Sequence, residues 1–180
     1  MESLVAAAIN GDEEAFSELI ISIEEDLYKI ARTRFECEDD INEAVQQTII
    51  QTFKSIKNLK EPRYFKTWII KILINKCNKI YMMSQKNSFI EYDENVINVE
   101  FNDEEKIVSN MDFYNIIKNL NYKERITFTL YYVEGLTTKE ISKILKEPES
   151  TVRNRKARAV GKLKNIFEGG VLNEGWRLWK

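Results

Sequence analysis

Leu136 to Lys164 reads LTTKEISKILKEPESTVRNRKARAVGKLK, and this stretch decides the fold. Thr137 with Glu140 three residues on makes a capping box that opens a helix. Ile141, Ile144 and Leu145 give that helix a short apolar face. Lys146-Glu147 breaks the pattern, and Pro148 suits the first turn of a second helix, where its missing N–H costs nothing. At about 100° per residue, Val152, Ala159, Leu163 and Ile166 fall in one narrow sector and should face the protein. Thr151, Asn154, Arg155, Arg158 and Lys162 form a different stripe. A solvated basic face is the plainer reading of such a stripe. The capped helix before it, and the lack of any acid between Glu149 and Glu168, favour a helix that lies in a DNA major groove.

Working outward, Val108 to Leu120 is helical in period, Asn121 can cap a helix over Lys123 to Val133, and Gly135 ends it. Upstream, from Ser84 to about Glu105, the apolar period lapses and Asn, Asp, Glu and Ser dominate, as in a flexible linker. The first half opens with a short helix, Glu2 to Ile9, and Gly11-Asp12 then starts a longer one with Asp12 as N-cap. Phe16, Leu19, Ile20, Ile23, Leu27, Ile30 and Phe35 make its apolar stripe. Cys37 to Asp40 reads as an acidic break. Ile41, Ala44, Val45, Thr48, Ile49, Phe53 and Ile56 then face inward on the next helix, whose other side carries Asn42, Glu43, Gln46, Gln47 and Gln51. The loop KNLKEPRYFK, Lys57 to Lys66, interleaves cations with aromatic rings, which suits single-stranded nucleic acid. A third long helix follows through Phe65, Trp68, Ile69, Ile72, Leu73 and Ile80, with Lys71, Asn75, Lys76 and Lys79 at polar positions. No stretch alternates as a strand does. The chain is all-α: two small helical domains, 1–83 and 107–168, a linker over 84–106, and a tail over 169–180 with Trp176 and Trp179.

Composition limits the function. With no histidine and only Cys37 and Cys77, neither a zinc site nor histidine-based catalysis is expected, and no metal or cofactor is implied. No apolar run approaches the roughly 20 residues that span a bilayer, and no leader opens the chain, so a cytoplasmic protein without membrane insertion is expected. The net charge of −2 hides its distribution. Residues 1–60 carry 6 basic and 13 acidic groups, 61–90 carry 6 and 1, 91–120 carry 2 and 8, and 121–180 carry 13 and 7. Two basic patches held by acidic segments fit local DNA contacts better than binding along the whole length.

These pieces, in this order, resemble a bacterial RNA polymerase sigma factor of the extracytoplasmic-function (group 4) type. Ala8, Gly11-Asp12 and Ala15-Phe16 match that family's opening. Asp40 to Phe53, DINEAVQQTIIQTF, is similar to its polymerase-binding helix, and Phe65 to Asn75, FKTWIIKILIN, to its helix for the minus-ten promoter element. Glu124-Arg125, the run Tyr132 to Thr137, Glu140-Ile141, and Thr151-Val152 with Arg155 and Arg158-Ala159 resemble its minus-thirty-five domain. Two departures from the pattern stand out. Lys79 and Met82 stand where the family usually has an Asp and an Arg, and Leu120-Asn121 stands where it has Leu-Pro. These departures, with the Ile, Asn and Lys bias, are similar to divergent sigma factors that drive toxin or bacteriocin genes.

The resemblance implies roles. Residues 1–83 would be sigma region 2 and 107–168 sigma region 4. Asp40, Glu43, Gln46 and Gln47 would meet the clamp helices of the polymerase. Lys60, Arg63, Tyr64, Lys66 and Asn75 would hold the melted minus-ten strand, with Trp68, Lys71 and Lys79 on the same helix. Thr151, Asn154, Arg155 and Arg158 would read the minus-thirty-five duplex, with Arg153, Lys156 and Lys162 nearer phosphates. The partners implied are core RNA polymerase, promoter DNA and an anti-sigma protein that covers these surfaces. The competing readings are a free-standing helix-turn-helix regulator and a protein-binding adaptor without DNA contact. The cation-aromatic loop at Lys57 to Lys66 argues against the first, and the second would need Arg155 and Arg158 to be dispensable.

Overall fold

Helix ends are set by local chemistry throughout the computed structural model, which describes residues 1–88 and 114–168. Helix α1 spans Glu2–Ile9 and turns at Gly11, whose φ of 97° suits glycine. Asp12 then caps α2, Glu13–Arg32, its Oδ1 accepting from the Ala15 amide at 3.0 Å. Glu13 and Glu14 sit at the positive end of that helix, and Lys29 and Arg32 at the negative end. The expected break at Cys37 to Asp40 is instead the start of α3, Glu38–Ser55. Cys37 alone is extended, and Glu38, Asp39 and Asp40 form the first turn, where backbone N–H groups favour three carboxylates.

The loop after α3 contains two short 3-10 turns, Ile56–Asn58 and Pro62–Tyr64. Helix α4 then runs from Phe65 to Ser88, past the expected end of the first domain at residue 83. Its buried set is wider than one stripe: Ile69, Ile70, Leu73, Ile74, Cys77 and Ile80. The reason is that α4 is covered twice, by α3 and by a helix of the second half.

That second half begins, within the described residues, with a helical segment at 114–117 (α5). Asn121 and Glu124 form a capping box at the start of α6, Tyr122–Phe128, which passes into a π turn over Thr129–Val133. Gly135, with φ of 69°, reverses the chain so that the Leu136 amide reaches the Leu130 carbonyl at 3.0 Å. Thr137 and Glu140 box the start of α7, Thr138–Leu145. Lys146 takes the left-handed conformation at φ 56°, and α8 covers Glu149–Glu168. No strand occurs among the described residues.

The two halves share one core. Ile126, Leu130, Leu136, Ile141, Ile144 and Val152 belong to the same buried cluster as α2, α3 and α4, and α7 packs directly on α4. A smaller cluster of Ile117, Leu120, Ala159 and Leu163 holds α5 to α8. Polar contacts reinforce the seam. The Arg34 guanidinium lies 3.6 Å from the Tyr81 ring centroid and 3.9 Å from that of Tyr122. The Tyr114 hydroxyl donates to the Lys29 carbonyl at 3.2 Å. Burial, partly offset by Arg34, pushes the Tyr122 hydroxyl up to about 12, so this seam stays neutral at Tyr122. The remainder of the expected linker and the tail with Trp176 and Trp179 lie outside the described residues.

Candidate nucleic-acid interface

Helix α8 supplies the first candidate surface. Val152, Ala159 and Leu163 are buried as their spacing predicts. Arg153, Asn154, Arg158 and Lys162 are exposed, and Thr151 is half-buried. Arg155 departs from the expected stripe. It is only 7% exposed, and its Nη1 lies 2.5 Å from Glu147 Oε2. The cause is angular, because Arg155 sits one turn before buried Ala159, only about 40° from it. It therefore faces the turn between α7 and α8, where it pins Glu147. Burial raises the Glu147 carboxyl, but Arg155 and Lys123 outweigh it and hold the group below its ordinary value. Lys156, expected nearer phosphates, is half-buried with its ammonium 3.7 Å from the centre of the Tyr131 ring. Lys162 is shared, since its Nζ is 2.7 Å from Oε2 of the buried Glu124.

One feature of α8 escaped the sequence reading. Ala157 and Gly161 lie exposed between the exposed cations, and a methyl added at Gly161 would meet nothing within 4 Å. No packing within the described chain requires glycine there. The signal available was the RKARAVGK run itself, small residues every four positions among cations.

The second surface is the loop before α4 and the outer face of that helix. Lys60, Arg63 and Tyr64 are exposed, the Arg63 guanidinium resting 4.9 Å from the Tyr64 ring centre and 3.6 Å from Glu61. Lys71, Asn75 and Lys79 follow at one-turn spacing, all exposed, and Met82, 61% exposed, extends the line. Trp68 is half-buried, its ring tilted against buried Phe65 at 6.3 Å. Lys66 turns away from this face. Its Nζ lies 3.1 Å from Glu134 of the second half and 3.5 Å from Asp26. Burial pulls the Lys66 ammonium down, but these two carboxylates hold it above its ordinary value.

The third surface is α3. Glu43 and Gln46 are exposed, Asp40 and Gln47 are half-buried, and Gln47 Nε2 donates to Glu43 at 2.8 Å. Phe53 was expected inside, but Thr52 takes that place and Phe53 is 54% exposed. Ile50, equally exposed, lies two turns beyond Glu43 on the same face. Phe53 meets Phe16 edge-on at 5.2 Å beside a shallow cavity of about 260 Å³ lined also by Gly11, Asp12, Lys54 and Lys57. An isoleucine in register with Glu43 and Gln47 was the available sign of a contact face.

Known proteins resemble this chain in sequence and in fold. Residues 19–85 match Sigma-70 region 2, and residues 110–163 match Sigma-70, region 4. The ECF RNA polymerase sigma-E factor of Haemophilus influenzae is 28% identical over 181 residues, covering 93% of this chain and 95% of that protein. The RNA polymerase sigma factor SigV of Bacillus subtilis is 25% identical over 136 residues, 76% of this chain and 81% of that one. Among solved structures, CnrH in complex with the cytosolic domain of CnrY superposes with a TM-score of 0.69 at 20% identity, over 94% of this chain and 98% of that one. The sigma factor RpoE of Bartonella quintana, in complex with the anti-sigma factor NepR, gives 0.65 at 18% identity, over 87% and 98%.

Proposed function

The chain belongs to the sigma-70 family as an alternative sigma factor of the extracytoplasmic-function type, directing promoter recognition in transcription initiation, and from that premise we propose how its residues divide the work. It acts as a dissociable subunit of RNA polymerase in the cytoplasm and catalyses nothing itself. The observation that carries the reading is the separation of surfaces on one helical body: an amide and carboxylate face on α3, and two cationic faces on α4 and α8.

Asp40, Glu43, Gln46 and Gln47 dock on the polymerase clamp, and Ile50 and Phe53 extend that contact with apolar area. Lys60, Arg63, Tyr64, Lys66, Lys71, Asn75 and Lys79 hold the minus-ten strand, with Tyr64 as a stacking platform and the cations on phosphates. Arg153, Asn154 and Arg158 face the minus-thirty-five duplex, and Thr151 and Lys162 flank them. Arg155 and Lys156 act one step back by fixing the helix-turn-helix. An anti-sigma protein that covers these faces is the expected regulator. Because each DNA patch is small and the chain as a whole is acidic, most promoter affinity comes from the assembled polymerase.

The test is co-purification with core RNA polymerase, followed by transcription from promoter fragments of the source genome. Core-dependent initiation, lost when Glu43 and Gln46 are both changed to Lys, is the expected result. A chain that ignores core polymerase but shifts a duplex by itself would be an autonomous helix-turn-helix regulator instead.

A further inference from the structure

Minus-ten and minus-thirty-five elements are centred about 25 base pairs apart, or ~85 Å at 3.4 Å per pair. Helix α7, part of the second DNA-binding unit, packs directly on α4, which carries the first. The two units must therefore separate before both elements are held. Separation breaks three described contacts: Arg34 between Tyr81 and Tyr122, Tyr114 on Lys29, and Lys66 with Glu134.

The last of these differs from the others. Lys60, Arg63 and Lys66 are the proposed strand-binding cations in and beside the loop, and Lys66 is the one turned inward. The Glu134 side chain that meets it is 1% exposed. Both its oxygens are buried without a hydrogen-bond partner, although Oε2 lies 3.1 Å from the ammonium as an ion pair. Asp26 and Lys29 also face this group, and burial together with Asp26 raises the Glu134 carboxyl against the pull of Lys66 and Lys29. A carboxylate so placed is poorly satisfied, and its single ion pair is a weak source of stability. A glutamine of the same shape would fit the site at less electrostatic cost.

We propose that Glu134 is an internal stand-in for a DNA phosphate, which occupies the Lys66 ammonium until the melted promoter strand displaces it. This rests on the reading of Lys66 as a strand contact. Strand binding and domain closure then compete for one cation. The coupling is reciprocal: whatever opens the seam frees Lys66, and a strand bound at Lys66 favours the open seam. The closed chain is thereby kept from single-stranded nucleic acid, and opening and strand capture become one event.

The experiment measures binding of a short fluorescein-labelled, A- and T-rich single-stranded oligodeoxynucleotide to the full chain by anisotropy. Glu134→Gln is expected to bind about tenfold more tightly than the parent. In a Lys66→Ala background the same change is expected to do nothing, and in holoenzyme, where the seam is open, the advantage disappears. Equal affinity of Glu134→Gln and parent would overturn the proposal, as would a gain that survives Lys66→Ala or assembly with polymerase. The parent chain supplies a second measurement that needs no variant to fold: saturating oligonucleotide should speed hydrogen exchange over residues 130–141. Unchanged exchange there would also overturn the proposal. Failure of the underlying reading looks different, because Lys66→Ala would then leave strand binding by the holoenzyme untouched.

Discussion

Helices α4 and α8 each present a cationic face, yet the two are built in opposite ways. On α4, Lys71 and Lys79 make no ion pair among the described residues and simply stand off a helix whose buried side is entirely apolar. On α8, Arg155 is bound to Glu147, Lys162 to Glu124, and Lys156 lies on Tyr131. Lys71 and Lys79 can be removed without disturbing what holds the helix in place, unlike Lys66 at its start, which pairs with Glu134 and Asp26. Those of α8 are partly mortar, because a helix-turn-helix must fix the angle of its second helix with few residues. Similar sequence stripes therefore conceal different couplings between binding and stability.

Five substitutions would break or sharpen this contrast. Arg155→Ala takes from the Glu147 carboxylate its closer partner, leaving only Lys123 at 3.6 Å, and should cost about 2 kcal/mol in denaturant unfolding. If stability holds and only promoter choice changes, Arg155 is a base reader and the contrast fails. Lys162→Ala removes the partner of Glu124, itself part of the α6 capping box, and should cost roughly 1.5 kcal/mol. The pH dependence follows from the direction of the Glu124 shift. Burial raises its carboxyl, but Lys162 and the Asn121 amide prevail and hold it below its ordinary 4.5. Its contribution is thus complete above pH 4.5 and is lost as pH falls through the lower folded value. Lys162→Ala should move the acid limb of the stability curve upward. Unfolding midpoints from pH 2 to 6 would reveal it.

Gly161→Ala should stabilise the chain by up to ~1 kcal/mol, because the site is an open helix position. The same change should weaken promoter binding by holoenzyme if the outer face of α8 approaches a DNA backbone closely. A gain in stability with full binding would place the duplex elsewhere. The smallest effect on folding belongs to Lys71→Ala and Lys79→Ala, each within about 0.5 kcal/mol. Each should nonetheless reduce the slope of log affinity against log salt by somewhat less than one, as for a phosphate contact on a single strand.

The same contrast explains what was legible in the sequence. Asp12, Asn121, Thr137 and Gly135 were readable because caps depend on a few neighbouring residues. The order of helices and the inward faces of α2 and α8 followed from period alone. The inward turns of Lys66 and Arg155 were not legible, because each meets a carboxylate that periodicity does not register: Glu134 across the domain seam, and Glu147 from the preceding turn. Phe53 was assigned inward on hydrophobicity, whereas Thr52 is buried there. At Cys37 to Asp40 a run of acids looked like a break, although the start of a helix attracts that charge.

Cys77 sits in the core shared by both halves, 2% exposed, near enough to Arg34 to feel its charge. Burial lifts its thiol to about 12, so at neutral pH it is both covered and protonated, whereas Cys37 is exposed. The molecule thus contains a matched pair of reporters. A thiol-specific reagent will modify Cys37 at once and Cys77 only as fast as the helices around it part. The lag between the two additions, followed by mass spectrometry with and without polymerase, is a built-in clock for the opening of this sigma factor.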